Sequence, residues 1–166
     1  MDDDSIRVPP GLTTDGLLGQ RYMARFIDQL LLSLVLIAVV AVEGISPANT
    51  RNLGIGYWLV FLLIWIGYGS LLESSPWQAT LGKRWMGLRV YDSQGGRLPL
   101  LQAAGRNLVK DGPFLAAVAV SGGPLLSVVW LGAQLAVLHR SSVHQAIHDK
   151  IAHTWVAVPK PLSGPG

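Results

Sequence analysis

The sequence has 166 residues, the length of one domain or one small membrane unit. Half of the residues are hydrophobic, 14% are charged, and the mean hydropathy is +0.39. A soluble domain of this size buries too little of its surface to hide so much apolar area, so the composition disfavours soluble enzymes, DNA-binding modules and disordered chains. The sequence contains no cysteine, which excludes disulfides, thiolate metal sites and cysteine nucleophiles.

The N-terminal region is acidic and rich in turn-forming residues. Residues 1–18 are predicted to form a flexible tail, because they contain Asp2 to Asp4 and Pro9 to Gly11 and show no sustained apolar period. The acidic start argues against a secretory signal. We therefore expect a membrane domain over residues 19–158 and a short C-terminal tail over residues 159–166.

Two apolar segments are candidates to cross a membrane. The run from Phe26 to Val42 is slightly shorter than the roughly 20 residues that a crossing needs. The run from Leu53 to Leu72 carries no charge and places aromatic side chains near its ends, as membrane interfaces favour, and Glu73 follows it. We predict that both segments cross the bilayer.

The segment after the second run concentrates basic residues. They are Lys83, Arg84, Arg89, Arg97, Arg106 and Lys110. The positive-inside rule places this loop and the N-terminus in the cytoplasm, with the loop around Arg51 outside. Because the basic residues flank a membrane segment and no aromatic platform accompanies them, we expect anionic lipid headgroups as their partner and no nucleic acid.

Local patterns subdivide the basic loop. Leu88 to Tyr91 and Arg97-Leu98, separated by Asp92 to Gly96, predict a short β-hairpin. Leu98 to Lys110 is expected to be an amphipathic helix at the interface, with Arg106 and Lys110 on its polar side. The fold class predicted is thus all-α: a small polytopic α-helical membrane protein with a short cytoplasmic hairpin and interfacial helices.

The last apolar region, residues 113–138, allows two arrangements because Ser121 to Pro124 interrupts it. One is a single crossing kinked at Pro124. The other is a re-entrant pair of half-helices, which returns residues 139–160 to the cytoplasm. The basic residues of that C-terminal stretch favour the second arrangement slightly.

Asp28 is conspicuous because it lies inside the first apolar segment, where an unpaired carboxylate is costly. Arg21 and Arg25 precede it by seven and three residues, which puts all three side chains on one helical face. Two hypotheses follow. Asp28 forms an interfacial ion pair with arginines that reach the headgroups, or it is a buried functional carboxylate.

All four histidines of the chain lie between residues 139 and 153, around Asp149. His144 and His148 have the spacing of a zincin helix, but Gln145 occupies the position of the catalytic glutamate. An interfacial helix with exposed histidines is the favoured interpretation, with a metal site as the alternative. Gly82-Lys83-Arg84 lacks the glycine-rich run of a phosphate loop.

Three segments together resemble the RDD family of bacterial and archaeal membrane proteins. They are Arg21-Tyr22-Met23-Ala24-Arg25-Phe26-Ile27-Asp28, Ala79-Thr80-Leu81-Gly82-Lys83-Arg84-Trp85-Met86-Gly87-Leu88-Arg89-Val90 and His148-Asp149-Lys150-Ile151-Ala152-His153-Thr154-Trp155-Val156. By position, Arg21 and Asp28 match the family's arginine and first aspartate. Asp149 is favoured as the second aspartate, and Asp92 is the alternative. His153 departs from the pattern, which has glycine before Thr154.

The resemblance implies an integral protein of a prokaryotic plasma membrane. Because no constellation of nucleophile, base and oxyanion donors can be assembled from the residues, we expect no catalytic residue, and we also expect no cofactor or resident metal. We expect a non-catalytic subunit or scaffold, acting as a homo-oligomer or within a larger membrane complex, whose arginines and aspartates lock the cytoplasmic helix ends. The alternative is an oligomeric sodium/proton antiporter using Asp28. The candidate functional residues are Arg21, Arg25, Asp28, Lys83, Arg84, Asp92, Arg106, His148 and Asp149.

Overall fold

A computed structural model of the chain describes residues 8–42, 55–119, 123–141 and 144–160. The elements within these ranges are β1 (Leu12–Thr13), α1 (Leu18–Val42), α2 (Ile55–Glu73), α3 (Leu81–Trp85), β2 (Arg89–Tyr91), α4 (Leu100–Ala119), α5 (Gly123–Arg140), α6 (Ile147–Ile151) and β3 (Trp155–Pro159). The loop around Arg51, the Ser121-Gly122 interruption, and the outer parts of both predicted tails lie outside the described residues.

Helix α1 is the long apolar helix of the fold. Its 25 residues extend about 37 Å at 1.5 Å per residue, which exceeds the hydrocarbon thickness of a bilayer. Among the described residues it is the one helix both long and apolar enough to cross a membrane. Only a narrow stripe of α1 is buried, at Ala24, Leu32 and Val40, while large apolar side chains such as Phe26 and Ile37 are exposed.

Helix α4 packs against both α2 and α5. Helix α2 lies along α4, where Gly69 allows the Asn107 side chain to approach so closely that an added Cβ would lie 2.5 Å from its Oδ1. Helix α4 runs through Pro113, which lacks an N–H and crowds the preceding turn. The Lys110 carbonyl in that turn accepts hydrogen bonds from Trp130 Nε1 (3.2 Å) and Gln134 Nε2 (3.0 Å).

Those two contacts decide how residues 113–138 are arranged. In one continuous helix, Lys110 and Trp130 would lie about 30 Å apart. Their direct contact therefore requires α4 and α5 to be an antiparallel pair, as in the second of the two predicted arrangements. The pair returns the chain to the end of the molecule where α1 begins.

A three-stranded antiparallel sheet closes that end, in the order β1-β3-β2. Val90 pairs with Val156 and Thr13 pairs with Val158. The predicted hairpin is wrong in its pairing, because β2 pairs with the C-terminal β3 and not with Arg97-Leu98. The predicted turn after β2 does form, and the Asp92 carboxylate closes it by accepting from the N–H groups of Gln94 and Gly96.

The sheet recruits part of the predicted N-terminal tail. Residues 12–13 form β1, and Leu17 is buried in the core that joins the sheet to α1. The other buried members of this core are Ala24, Leu88, Val90, Leu98, Ala103 and Val156. The described tail residues 8–18 are thus held by strand pairing and apolar packing.

A buried ion-pair network as the candidate functional site

Asp149 is the centre of a buried network of charges. It lies at the third position of α6, accepts from the Ala146 N–H (3.2 Å) and is 0% exposed. Arg106 donates to its Oδ1 through Nη2 (2.5 Å) and Nε (3.1 Å), and Arg21 donates to its Oδ2. Burial alone would raise the pKa of Asp149, but chiefly the charge of Arg106, with that of Arg21 adding to it, holds the pKa well below its usual range.

Arg106 joins Asp149 to the end of α2. Its Nη1 donates to Glu73 Oε2 at 2.7 Å, and both side chains are almost wholly buried. Glu73 also accepts from Lys83 of α3 and from Asn107 Nδ2 of α4 (3.1 Å). The sequence predicted a helix end at Glu73 but missed its place in this network.

A second ion pair joins α1 to α4. Arg25 Nη2 donates to Asp111 Oδ1 at 2.9 Å, and Lys110 Nζ lies 3.2 Å from Asp111 Oδ2. Lys110 also donates to Asn107 Oδ1 at 2.6 Å. The expectation that Arg106 and Lys110 lie on the polar side of an interfacial helix is therefore wrong, because both point inward and pair with buried carboxylates and amides.

Asp28 forms neither of the arginine pairs that its spacing suggested. Its Oδ1 accepts from the Tyr68 hydroxyl (2.7 Å) and the Gly82 N–H (2.8 Å), and its Oδ2 accepts from the Thr80 hydroxyl (2.6 Å). Three neutral donors thus compensate the carboxylate, which fixes α1 against α2 and α3. The hypothesis of an interfacial ion pair between Asp28 and Arg21 or Arg25 is wrong.

His148 lies on the other side of Asp149 and is buried. The amide nitrogen of Gln134 donates to the Lys110 carbonyl, which leaves the amide oxygen of Gln134 to accept from His148 Nδ1 at 2.9 Å. Burial is the main reason that the pKa of His148 is well below its usual value, although the Asp149 charge opposes the shift. The ring is therefore neutral at pH 7 with its proton on Nδ1.

The histidine segment differs from the predicted interfacial helix. His144 precedes α6 and has a φ of 53°, so it cannot share a helical face with His148. Its carbonyl accepts from Arg21. No group of three or more potential metal ligands of the His, Cys, Asp and Glu types occurs among the described residues. The exposed-histidine interpretation is wrong for His148.

His153, which stands where the family pattern has glycine, adopts a backbone conformation that suits glycine. Its φ is 49°, in the left-handed region that glycine adopts without strain and that a β-carbon disfavours. The following Thr154 donates its N–H to the Asp149 carbonyl (2.9 Å), and its hydroxyl accepts from Arg106 Nε (3.1 Å). The tight turn at His153 thus brings β3 back onto the network.

Three of the predicted candidates contribute to the surface or to the network's edge. Arg84 lies over the Trp77 ring at 4.0 Å and is exposed, and Asp92 closes the surface turn after β2. Lys83 faces Glu73. Burial is the main reason that the pKa of Lys83 is lowered, and the charges of Arg106 and Lys110 lower it further. The Glu73 charge opposes these effects, and the pKa of Lys83 is about 8.

The network borders a cavity of about 90 Å³. Its lining includes Arg21, Arg25 and Asp28 of α1 together with Lys83 of α3 and Arg106 and Lys110 of α4. Because one water occupies about 30 Å³ of liquid, the space holds a few waters or a small charged group.

Sequence reasoning missed Glu73, Asn107, Asp111 and Gln134. A helical period could have found the two residues on α4, because Ala103, Arg106, Asn107, Lys110 and Asp111 recur every three or four residues on one face. In a membrane protein such a polar face points into the protein.

These features define a class: a mostly helical domain with one long apolar helix, a small antiparallel sheet and a buried network of arginines, lysines and carboxylates at the sheet end. The chain belongs to the RDD family, whose sequence profile matches residues 16–153. It is accordingly a membrane-associated protein of that family, as the resemblance predicted. Comparison with curated proteins and with solved structures gives no match.

Proposed function

We propose that the chain is a multi-pass domain of a prokaryotic plasma membrane that acts as a non-catalytic membrane subunit or scaffold. Arg21 at the start of α1 and Arg106 of α4 converge on Asp149 of α6, and this convergence is the single observation that carries the proposal. Such a hub holds three distant parts of the chain in one arrangement, and every charge that it buries has a partner.

The proposed topology follows from the contacts at the sheet end. The start of α1, the end of α2, the first half of α4 and the C-terminal strand meet there, which supports their placement on one side of the bilayer. The exposed basic residues Arg84, Arg89 and Arg97 lie near the same end and favour the cytoplasmic side. In this proposal α1, α2 and the α4–α5 pair are all embedded, and the exposed apolar side chains of α1 and α2 face lipid.

Assembly is the function to test first. The protein is purified in mild detergent from its native membrane, and its mass is measured with any partners attached. The scaffold proposal expects a homo-oligomer or a complex of fixed composition. Asp149→Asn should release or unfold it, whereas Asp92→Asn, a change in a surface turn, should leave it intact. A monodisperse monomer without partners would contradict this role.

Ion exchange is the second candidate, and one observation favours it. Asp28 borders the cavity, and among the described residues no cation forms an ion pair with it. Asp28→Asn removes the charge but can keep all three hydrogen bonds. The amide oxygen can still accept from the Tyr68 hydroxyl and the Gly82 N–H, while the Thr80 hydroxyl turns to accept from the new NH₂. Sodium-driven proton movement in liposomes of the pure protein, lost in Asp28→Asn, would favour exchange over the scaffold.

A further inference from the structure

The cavity beside the network has a wall of one helical face of α1. Arg21, Arg25, Asp28 and Leu32 follow one another at intervals of three and four residues and all line it. Helix α1 packs most closely on α3, where an added Cβ on Gly82 would lie 2.1 Å from the Ala24 carbonyl oxygen. Beyond that contact, polar side chains of a largely exposed helix line a space inside the fold.

The charges around this space do not balance. Its lining cations are Arg21, Arg25, Lys83, Arg106 and Lys110. The carboxylates that face them are Asp28 and Asp111 on the lining and Glu73 and Asp149 behind it. With His148 neutral, the described residues leave one unit of positive charge in a setting where an uncompensated charge is expensive.

Part of the cavity lining is apolar. Leu32 and Trp65 form one buried cluster and line the cavity together with Leu138. The exposed Tyr22 also lines it, which places an opening beside α1. A molecule that matches the charged and the apolar parts of the lining has a small anionic head for the cations and an apolar part that extends along α1.

We propose that the cavity binds the phosphodiester headgroup of an anionic membrane lipid, with the acyl chains lying against α1 and α2 near Leu32 and Trp65. A phosphodiester carries one negative charge and so neutralises the excess. Arg25 and Lys110 are the cations best placed to receive it, because these two share one carboxylate, Asp111. The other three lining cations, Arg21, Lys83 and Arg106, share two carboxylates, Asp149 and Glu73. This lipid site does not depend on the scaffold role.

Lipid retention tests the site directly. The full chain is purified in a zwitterionic detergent and offered dioleoyl-phosphatidylglycerol, dioleoyl-phosphatidylcholine or inorganic phosphate, and bound molecules are counted by native mass spectrometry. We expect one tightly held phosphatidylglycerol and no retained phosphatidylcholine. If inorganic phosphate binds one-to-one and displaces the lipid, the anion site stands and its source is the aqueous phase. Equal retention of both lipids, with no phosphate binding, would overturn the proposal.

Two substitutions of opposite sign tie the binding to this cavity. Arg25→Gln removes one cation while Asp111 keeps Lys110, and it should weaken phosphatidylglycerol binding about tenfold. Asp28→Asn removes a negative charge and should strengthen it. The matched control, Arg97→Gln, removes an exposed cation from the surface turn and should have no effect. If Arg97→Gln weakens binding as much as Arg25→Gln, the lipid binds the surface and the proposal fails.

A cavity-filling variant covers the case in which Arg25→Gln does not fold. Leu138→Trp places an indole in the cavity without changing its charge, so it should abolish retention of the single lipid while the protein keeps its monodisperse elution in detergent. Undiminished retention in folded Leu138→Trp would exclude this cavity as the site.

Discussion

Arg106 shows how much one side chain contributes to this fold. Its guanidinium donates to Glu73, Asp149 and Thr154 at once, from a position that is 1% exposed. A lysine ammonium is a point charge on a flexible stem and cannot bridge two carboxylates in the same planar geometry. Arg106 therefore connects the end of α2 to α6 through its shape as well as its charge.

Arg106→Lys should accordingly lower the free energy of unfolding by about 2 kcal/mol or more, since at least one of the two buried carboxylates loses its hydrogen bonds from residue 106. Titration of the purified protein with a denaturing detergent measures the change. Arg89→Lys, an exposed position on β2, is the control and should change stability by less than about 0.5 kcal/mol. An Arg106→Lys protein as stable as the control would show that charge alone is sufficient here.

His153 offers a substitution that should stabilise the protein. A left-handed φ is strained for histidine and free for glycine, so His153→Gly should raise the free energy of unfolding by about 1 kcal/mol. Lys150→Gly, an exposed position in α6 with helical backbone, should lower it by a similar amount. Thermal melting of the two variants beside the parent gives the comparison, and two shifts of the same sign would contradict the argument.

Lys83 gives the stability a dependence on alkaline pH. Its pKa is about 8 in the folded protein and 10.5 when unperturbed, so between these values the unfolded chain binds more protons. Stability should therefore rise with pH from about 8 to about 10.5, by at most about 1.4 kcal/mol per pH unit. Lys83→Met should flatten the rise in melting temperature over that range. The exposed-site control is Lys150→Met. If the rise in melting temperature is unchanged in Lys83→Met, or is lost equally in Lys150→Met, then groups other than Lys83 cause it.

At the scale of elements, the contact between α1 and α3 depends on one glycine. A methyl group at Gly82 would lie 2.1 Å from the Ala24 carbonyl oxygen and 3.0 Å from Asp28 Cγ, both inside van der Waals contact. Gly82→Ala should push the helices apart, break the hydrogen bond from the Gly82 N–H to Asp28 and reduce the yield of folded protein severalfold.

Gly105 in α4 is the matched control for this prediction. A Cβ there meets nothing within 4 Å, so Gly105→Ala should stabilise the helix by roughly 0.5–1 kcal/mol. Size-exclusion elution and melting temperature of the two variants distinguish them. If Gly82→Ala were tolerated as well as Gly105→Ala, close packing of α1 on α3 would not be required.

The elements that sequence could predict are those governed by local pattern. The apolar runs that become α1 and α2, and the turn closed by Asp92, follow from composition and turn chemistry over a few residues. Strand β3 could not be predicted in the same way, because Val156 pairs with Val90 across a long stretch of chain. The orientation of α4 could not be predicted for another reason. Arg106 and Lys110 are typical of a solvated face, and only the partners on α1, α2 and α6 show that this face points inward.

The candidate site was predicted in its members more than in its contacts. Arg21 and Asp149 were selected through the family resemblance, and the structure joins them. Helical spacing grouped Arg21 and Arg25 with Asp28, yet each arginine bonds a carboxylate from a different helix. Spacing along one helix shows which side chains share a face, but the choice of partner depends on what packs against that face.

At the scale of the whole molecule, the shared end of the first and last described segments fixes a topology that can be measured. Because the chain lacks cysteine, single cysteines can be introduced without removing others. Ser93→Cys, in the turn after β2, and Lys160→Cys, beside Gly11 at the sheet, should react from the same side of the membrane.

A membrane-impermeant maleimide applied to intact cells and then to inverted vesicles measures this accessibility. Both cysteines should label only in inverted vesicles. Asn49→Cys, in the loop predicted from sequence to lie outside, should label only in intact cells. Opposite labelling of Ser93→Cys and Lys160→Cys would contradict both the sheet and the proposed topology.

The position of β3 between β1 and β2 also determines the order in which the molecule can be completed. A ribosome synthesises Arg21, Glu73 and Arg106 before it reaches Asp149 and the strand that follows. During elongation Arg21 and Arg106 therefore lack the Asp149 carboxylate that both bind, and the two outer strands have no partner to join them. Only when residues 147–160 have been synthesised can the chain complete both the sheet and the ion-pair network.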